Sequence, residues 1–145
     1  MAKNVAEQLV DTLEKAGVKR INAVTGDSLN EVNEAVRKNG KIKWIHVRHE
    51  ETGAYAAAAE AQLNGELACC AGSSGPGHVH LINGLYDAQR SGAPVLAIAS
   101  TLPTHEFGTE YFQETNTIKL FEDCSHYNQV ATTPEQFPRM LQGAI

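Results

Sequence analysis

The chain has 145 residues, 42% hydrophobic and 20% charged, and a formal net charge of −5. That length suits one domain with one core, and the apolar content excludes a disordered chain. Nucleic acid is excluded as a main partner, because phosphate neutralisation needs clustered cations. Lys19-Arg20, Arg37-Lys38 and Lys41-Ile42-Lys43 are short, scattered groups of a solvated face.

Taken in chain order, helical and strand patterns alternate. Val5, Leu9, Leu13 and Ala16 share one helical face, and Gly17 is a natural stop. Arg20 to Val24 reads as a short strand running into Thr25-Gly26-Asp27, and Ser28 is placed to cap a helix carrying Leu29, Val32 and Val36. Ile42 to Val47 is the second strand. Glu50 to Leu63 is an alanine-rich helix closed by Asn64-Gly65. Glu66 to Ala71 is the third strand, and Gly77 to Gln89 reads as one helix with Val79, Ile82 and Leu85 as its apolar set. Pro94 to Ala99 is nearly all apolar and is expected to be a central strand. A long loop from Ser100 to about Thr115 has the length of a functional one. Ile118 to Phe121 suits a helical turn, Asn128 to Ala131 a fifth strand, and Pro134 the start of a final helix.

This alternation predicts an α/β fold, doubly wound, with a mostly parallel sheet and helices on both faces. One domain over residues 1–145 is expected. The last pattern, Phe137, Leu141 and Ile145, stops without a cap, so a chain truncated at its C-terminus is expected. Met1 to Glu14 mixes charged and apolar residues, unlike a signal peptide, and no window approaches a membrane span. Three cysteines cannot all pair within one chain. Cys69 and Cys70 are strand neighbours facing opposite ways, which suits buried reduced thiols in a cytoplasmic protein.

Glu50 is the most informative residue. It follows Arg48-His49 at the carboxyl end of a strand, where open α/β sheets keep their ligands. An acid that merely opposes the helix dipole would occupy the same place, and Glu51 fits that plainer role. The second such loop is Ala71-Gly72-Ser73-Ser74-Gly75-Pro76-Gly77. It is either a tight turn or a close backbone approach to a ligand, which glycine permits. It fails as a dinucleotide fingerprint because position 80 is His80, and no phosphate-cradling Gly-Lys-Ser or Gly-Lys-Thr occurs. His78 and His80 are two apart without further ligands at matching spacing, so no metal site is expected. Phe112-Gln113 in the long loop is either a pocket lining or ordinary loop packing.

Five segments occur in order: Val24-Thr25-Gly26-Asp27-Ser28, Arg48-His49-Glu50-Glu51, Ser74-Gly75-Pro76-Gly77, His80-Leu81-Ile82-Asn83-Gly84-Leu85 and Tyr111-Phe112-Gln113-Glu114. Together they resemble the N-terminal pyrimidine-binding domain of thiamine-diphosphate enzymes, most of all pyruvate oxidase and the quinone-dependent pyruvate dehydrogenase. The resemblance covers nearly the whole chain. It implies that Glu50 hydrogen-bonds N1′ of the aminopyrimidine ring. This favours the imino tautomer, whose 4′ nitrogen takes the proton from C2 of the thiazolium. Pyruvate is then decarboxylated and a flavin reduced. By the same resemblance Gly26, Pro76, Gly77 and Asn83 contact the cofactor, and His80, Phe112 and Gln113 lie near the reacting substrate.

The chain departs from the family in what it lacks. The family holds the diphosphate and Mg²⁺ on another domain through a Gly-Asp-Gly start and a later asparagine. Gly26-Asp27-Ser28 imitates only the start, since Glu51 to Ala57 contains no asparagine. A flavin (FAD) domain has no counterpart here either. The resemblance thus implies half of an active site, completed in a homo-oligomer by a partner's diphosphate domain. Two other readings stay open: an acetolactate-synthase-like carboligase domain, and a non-catalytic module or fragment that only associates.

Overall fold

The computed structural model describes residues 3–145. Helix α1 (Val5–Lys15) begins with a reciprocal cap, in which the Asn4 side chain accepts from the Glu7 amide at 2.8 Å and the Glu7 carboxylate accepts from the Asn4 amide at 3.2 Å. Its Ala6, Leu9, Val10 and Leu13 are buried on one stripe. Strand β1 (Arg20–Ala23) leads through a 3-10 turn (Asp27–Leu29) into α2 (Asn30–Asn39), and β2 (Lys43–His46) leads into α3 (Glu50–Asn64). Then come β3 (Ala68–Gly72), the single-turn α4 (Pro76–Val79), α5 (Ile82–Ser91) and β4 (Val95–Ala99). A loop with a second 3-10 turn (Thr104–Glu106) runs to α6 (Thr117–Phe121), and α7 (Phe137–Ala144) closes the chain.

The four strands are all parallel, in the order β2-β1-β3-β4. The order reverses direction between β1 and β3, which is where ligands enter sheets of this kind, beyond the carboxyl ends of the strands. One core layer joins α1, α2 and Leu141 of α7 to Ile21, Ala23, Cys69 and Ala71 of the sheet. The opposite layer joins α3, α5 and Phe121 of α6 to Ala68 and Cys70. Strand pleating therefore sends Cys69 and Cys70 to opposite faces, and all three thiols are free and buried. Burial pushes the Cys70 thiol up to about 12, and raises Cys69 and Cys124 as well. Thiols held protonated in this way are inert.

The doubly wound α/β expectation is met, but five local readings are corrected. Asn128 to Ala131 forms no strand. Consequently Pro94–Ala99 supplies the sheet's outer strand rather than a central one, and its Val95, Ala97, Ile98 and Ala99 are only half-buried. The run is apolar because both faces are covered, Leu96 and Ile98 on one layer and Val95, Ala97 and Ala99 on the other, and covered faces do not imply two paired edges. The expected Gly77–Gln89 helix is broken at His80-Leu81 into α4 and α5, and the last helix starts at Phe137 rather than Pro134. Finally, Ser28 does not cap α2. It lies inside the 3-10 turn and spends its hydroxyl on the β3 loop, accepting from the Ser74 amide at 3.0 Å.

Candidate active site at the carboxyl ends of the strands

Three strand ends are tied together above the switch point. Ser28 Oγ lies 2.9 Å from Ser73 Oγ, and the Ser100 hydroxyl donates to the Ser28 carbonyl at 2.7 Å. These bonds link the exits of β1, β3 and β4. Gly26 meets the β3 loop so closely that an added Cβ would lie 2.3 Å from Ser73 Oγ. The loop itself folds back on its strand. A Cβ on Gly72 would lie 2.5 Å from the Gly77 carbonyl oxygen, so only glycine allows this approach. Gly75 takes φ +66, and Pro76 then opens α4 at a position where its missing amide costs nothing.

Glu50 is the first residue of α3 and only 9% exposed. Its carboxylate opposes the positive end of the helix dipole, as any acid there would. What sets it apart is its surroundings. Oε1 faces the glycine turn, 3.4 Å from where a Gly77 Cβ would stand, and has no hydrogen-bond donor among the described residues. Oε2 lies 3.0 Å from His80 Nδ1. The break between α4 and α5 is what presents His80 to Glu50. The His49 ring stacks on His80 with centroids 4.3 Å apart.

The remaining expected site residues divide. Gly26, Glu50, Pro76, Gly77 and His80 belong to the loops that converge on the strand ends. Gln113 reaches the same loop. It adopts φ +68, packs its Cβ over Gly75, and accepts from the Ser74 hydroxyl at 3.0 Å. A left-handed non-glycine residue held this way marks a position fixed by its surroundings. Asn83 lies on α5 and donates to Glu51 Oε1 at 3.1 Å, so Glu51 links two helices instead of serving only as a helix-start acid. Phe112 projects outward and is 77% exposed.

Two features were not read from the sequence. The first is the His49–His80 stack, which has no short-range signature because the two rings are 31 positions apart in the chain. The second is His78, which is buried and turns away from Glu50. Its Nδ1 donates to the Ser100 carbonyl at 2.8 Å, and its Nε2 accepts from the Thr115 hydroxyl at 2.5 Å. It therefore pins the start of the long loop to its end. Desolvation lowers its pKa from the ordinary 6.5, although the bond to Ser100 opposes the shift. Beside this pin lies a cavity of about 640 Å³ lined by residues including Leu102, Phe107, Tyr111, Gln113 and Ile118, and Glu50 is not part of its lining.

A family model described as the thiamine pyrophosphate enzyme N-terminal TPP binding domain matches residues 3–120. The chain belongs to this family. Pyruvate oxidase of Lactiplantibacillus plantarum is 39% identical over 138 residues, covering 94% of this chain and 23% of that protein. Acetolactate synthase 3 of Brassica napus is 32% identical over 140 residues, covering 97% of this chain and 22% of that enzyme. A further relative is 57% identical over 141 residues, covering 97% of this chain and 36% of its own length. It is the uncharacterized 42.6 kDa protein in the isoamylase 3′ region of Pseudomonas amyloderamosa. The chain thus spans between about a fifth and a third of the relatives it matches.

The residues present fit a flat pyrimidine. A buried carboxylate offers an unpaired oxygen, and the facing wall is Gly77, where a side chain would fill the space beside Oε1. A ring nitrogen placed there would meet Oε1 as a hydrogen-bond acceptor, with the ring face against the backbone of the Gly-Pro-Gly turn. The cofactor supplies the acidic carbon when bound. Among the described residues no helix is long and apolar enough to cross a membrane.

Proposed function

We propose that the chain is the pyrimidine-binding part of a thiamine-diphosphate- and flavin-dependent enzyme that oxidatively decarboxylates pyruvate. The observation that carries this reading is Glu50, buried at the exit of β2 with one carboxylate oxygen facing Gly77 across the Gly75-Pro76-Gly77 turn. In this reading Glu50 receives the ring N1′ hydrogen bond and shifts the ring toward its basic tautomer. Gly26, Pro76 and Gly77 shape the slot, Asn83 steadies Glu51 beside it, and His80, Phe112 and Gln113 border the substrate. Phe112 is free to pack against a partner, so its exposure suits a site closed by a second subunit. Mg²⁺ and FAD would be held by other domains of a cytoplasmic homo-oligomer. Similarity to a pyruvate oxidase supports the choice of reaction.

Acetolactate synthesis is the second reading, supported by similarity to the plant synthases. Product analysis with pyruvate separates the two, since acetate or acetyl phosphate indicates oxidation and acetolactate indicates carboligation. The shared core of both readings is tested by Glu50→Gln in the complete enzyme. Turnover should fall at least a hundredfold with an unchanged melting temperature, in line with the ~10²–10⁴ typical of a lost acid–base contribution. Near-normal turnover would refute the role of Glu50.

A further inference from the structure

The strand-end cluster has a second chemical capacity besides the one assigned to Glu50. His49, Glu50 and His80 each offer one ligand atom, and the three atoms lie within 4.8 Å of one another. Exposed acids often gather without consequence, but here the carboxylate is buried and the two imidazoles are its immediate neighbours. We propose that these three residues form a binding site for a divalent transition ion of the zinc class.

Two imidazoles and one carboxylate are a three-ligand set that zinc accepts, with water in the fourth position. Imidazole nitrogen selects zinc, copper or nickel, whereas Mg²⁺ demands oxygen ligands and holds its water. The site is therefore chemically distinct from the Mg²⁺ that accompanies a diphosphate. His80 Nδ1 and Glu50 Oε2 are 3.0 Å apart, close to the edge of about 3.3 Å that tetrahedral bonds of 2.0–2.1 Å require. His49 is the ligand that must move. Its ring stacks on His80 with 25° between the planes, so the two sets of in-plane lone pairs run side by side. Its side chain is 48% exposed, so it has room to turn toward the other two ligands. Glu51 Oε2 lies 3.8 Å from His49 Nδ1 and is itself held by Asn83, so an outer carboxylate stands beside the mobile ligand. Outer carboxylates of this kind orient metal-bound histidines.

Glu50 is shared, so an occupying ion and a pyrimidine ring would exclude each other. That consequence rests on the proposed function, but the ion site itself does not. The buried thiols do not compete for the ion, because burial keeps them protonated. The test is isothermal titration of the 145-residue chain with Zn²⁺ and, separately, Mg²⁺, in a non-chelating buffer. One equivalent of Zn²⁺ should bind with micromolar affinity, and Mg²⁺ should not bind. His49→Ala, His80→Ala and Glu50→Gln should each weaken zinc at least tenfold, with circular dichroism reporting that the fold is kept. His49 is solvent-facing, so that variant keeps the test decisive if either of the others unfolds. Zinc affinity unchanged in His49→Ala, or no zinc binding in the parent chain, would overturn the proposal and leave the cofactor reading of Glu50 intact.

Discussion

The α1–α2 side of the sheet is filled by long aliphatic side chains, among them Leu9, Val10, Leu13, Ile21 and Leu29, whereas the α3–α5 side is built largely from Ala54, Ala57, Ala61 and Ala68. The two sides differ in how closely their layers approach. On the alanine side a Cβ at Gly84 would lie 2.5 Å from Ala54 Cβ, and one at Gly53 would lie 2.9 Å from the Asn22 carbonyl oxygen. The leucine side buys stability through buried volume. The alanine side gives up volume for proximity, and proximity brings the start of α3, with Glu50, against His80 just ahead of α5. The first side holds the domain together, and the second aims the site.

The two sides should therefore fail under opposite changes. Leu13→Ala on the leucine side should cost about 2–5 kcal/mol, read from urea denaturation, because a fully buried side chain leaves a cavity. Gly84→Ala on the alanine side should cost about 1–3 kcal/mol by overpacking, since the new methyl meets backbone as well as Ala54. If Gly84→Ala were neutral, the helices would not be held at contact distance and the contrast would break.

His78 sharpens the comparison, because it pins the loop bordering the site and not the core. Its folded pKa is depressed below 6.5, so the unfolded chain takes up its proton first as the pH falls. The corresponding stability is complete above about 6.5 and is lost as the pH falls toward the folded value. His78→Gln should flatten that part of the stability–pH curve, measured by thermal melts between pH 5 and 8 (about one unit or more either side of an ordinary histidine). An unchanged curve would show that the pin is not linked to folding. The smallest effect belongs to the α1 cap, far from the site, where Asn4→Ala should cost about 1 kcal/mol.

The alternation of elements was legible because helix and strand periods differ and because Gly17, Gly40, Gly65 and Gly92 close turns in the left-handed conformation. Glu50 stood out for its place at a strand exit, and the glycine turn for its composition. The break at His80-Leu81 was not legible, since the apolar spacing of Val79, Ile82 and Leu85 continues through it. The missing pairing of Asn128 to Ala131 was not legible either, because strand propensity does not state whether a partner edge lies within reach.

By itself, then, the sequence determined the α/β alternation, the family, and the two strand-end segments that meet at the site, since local periodicity and ordered motifs are properties of the chain. Only the tertiary structure decided that β4 lies at the sheet's edge, that His78 turns away while His80 turns toward Glu50, and that His49 stacks over them. Those outcomes depend on contacts between residues 22 or more positions apart, which no local periodicity encodes.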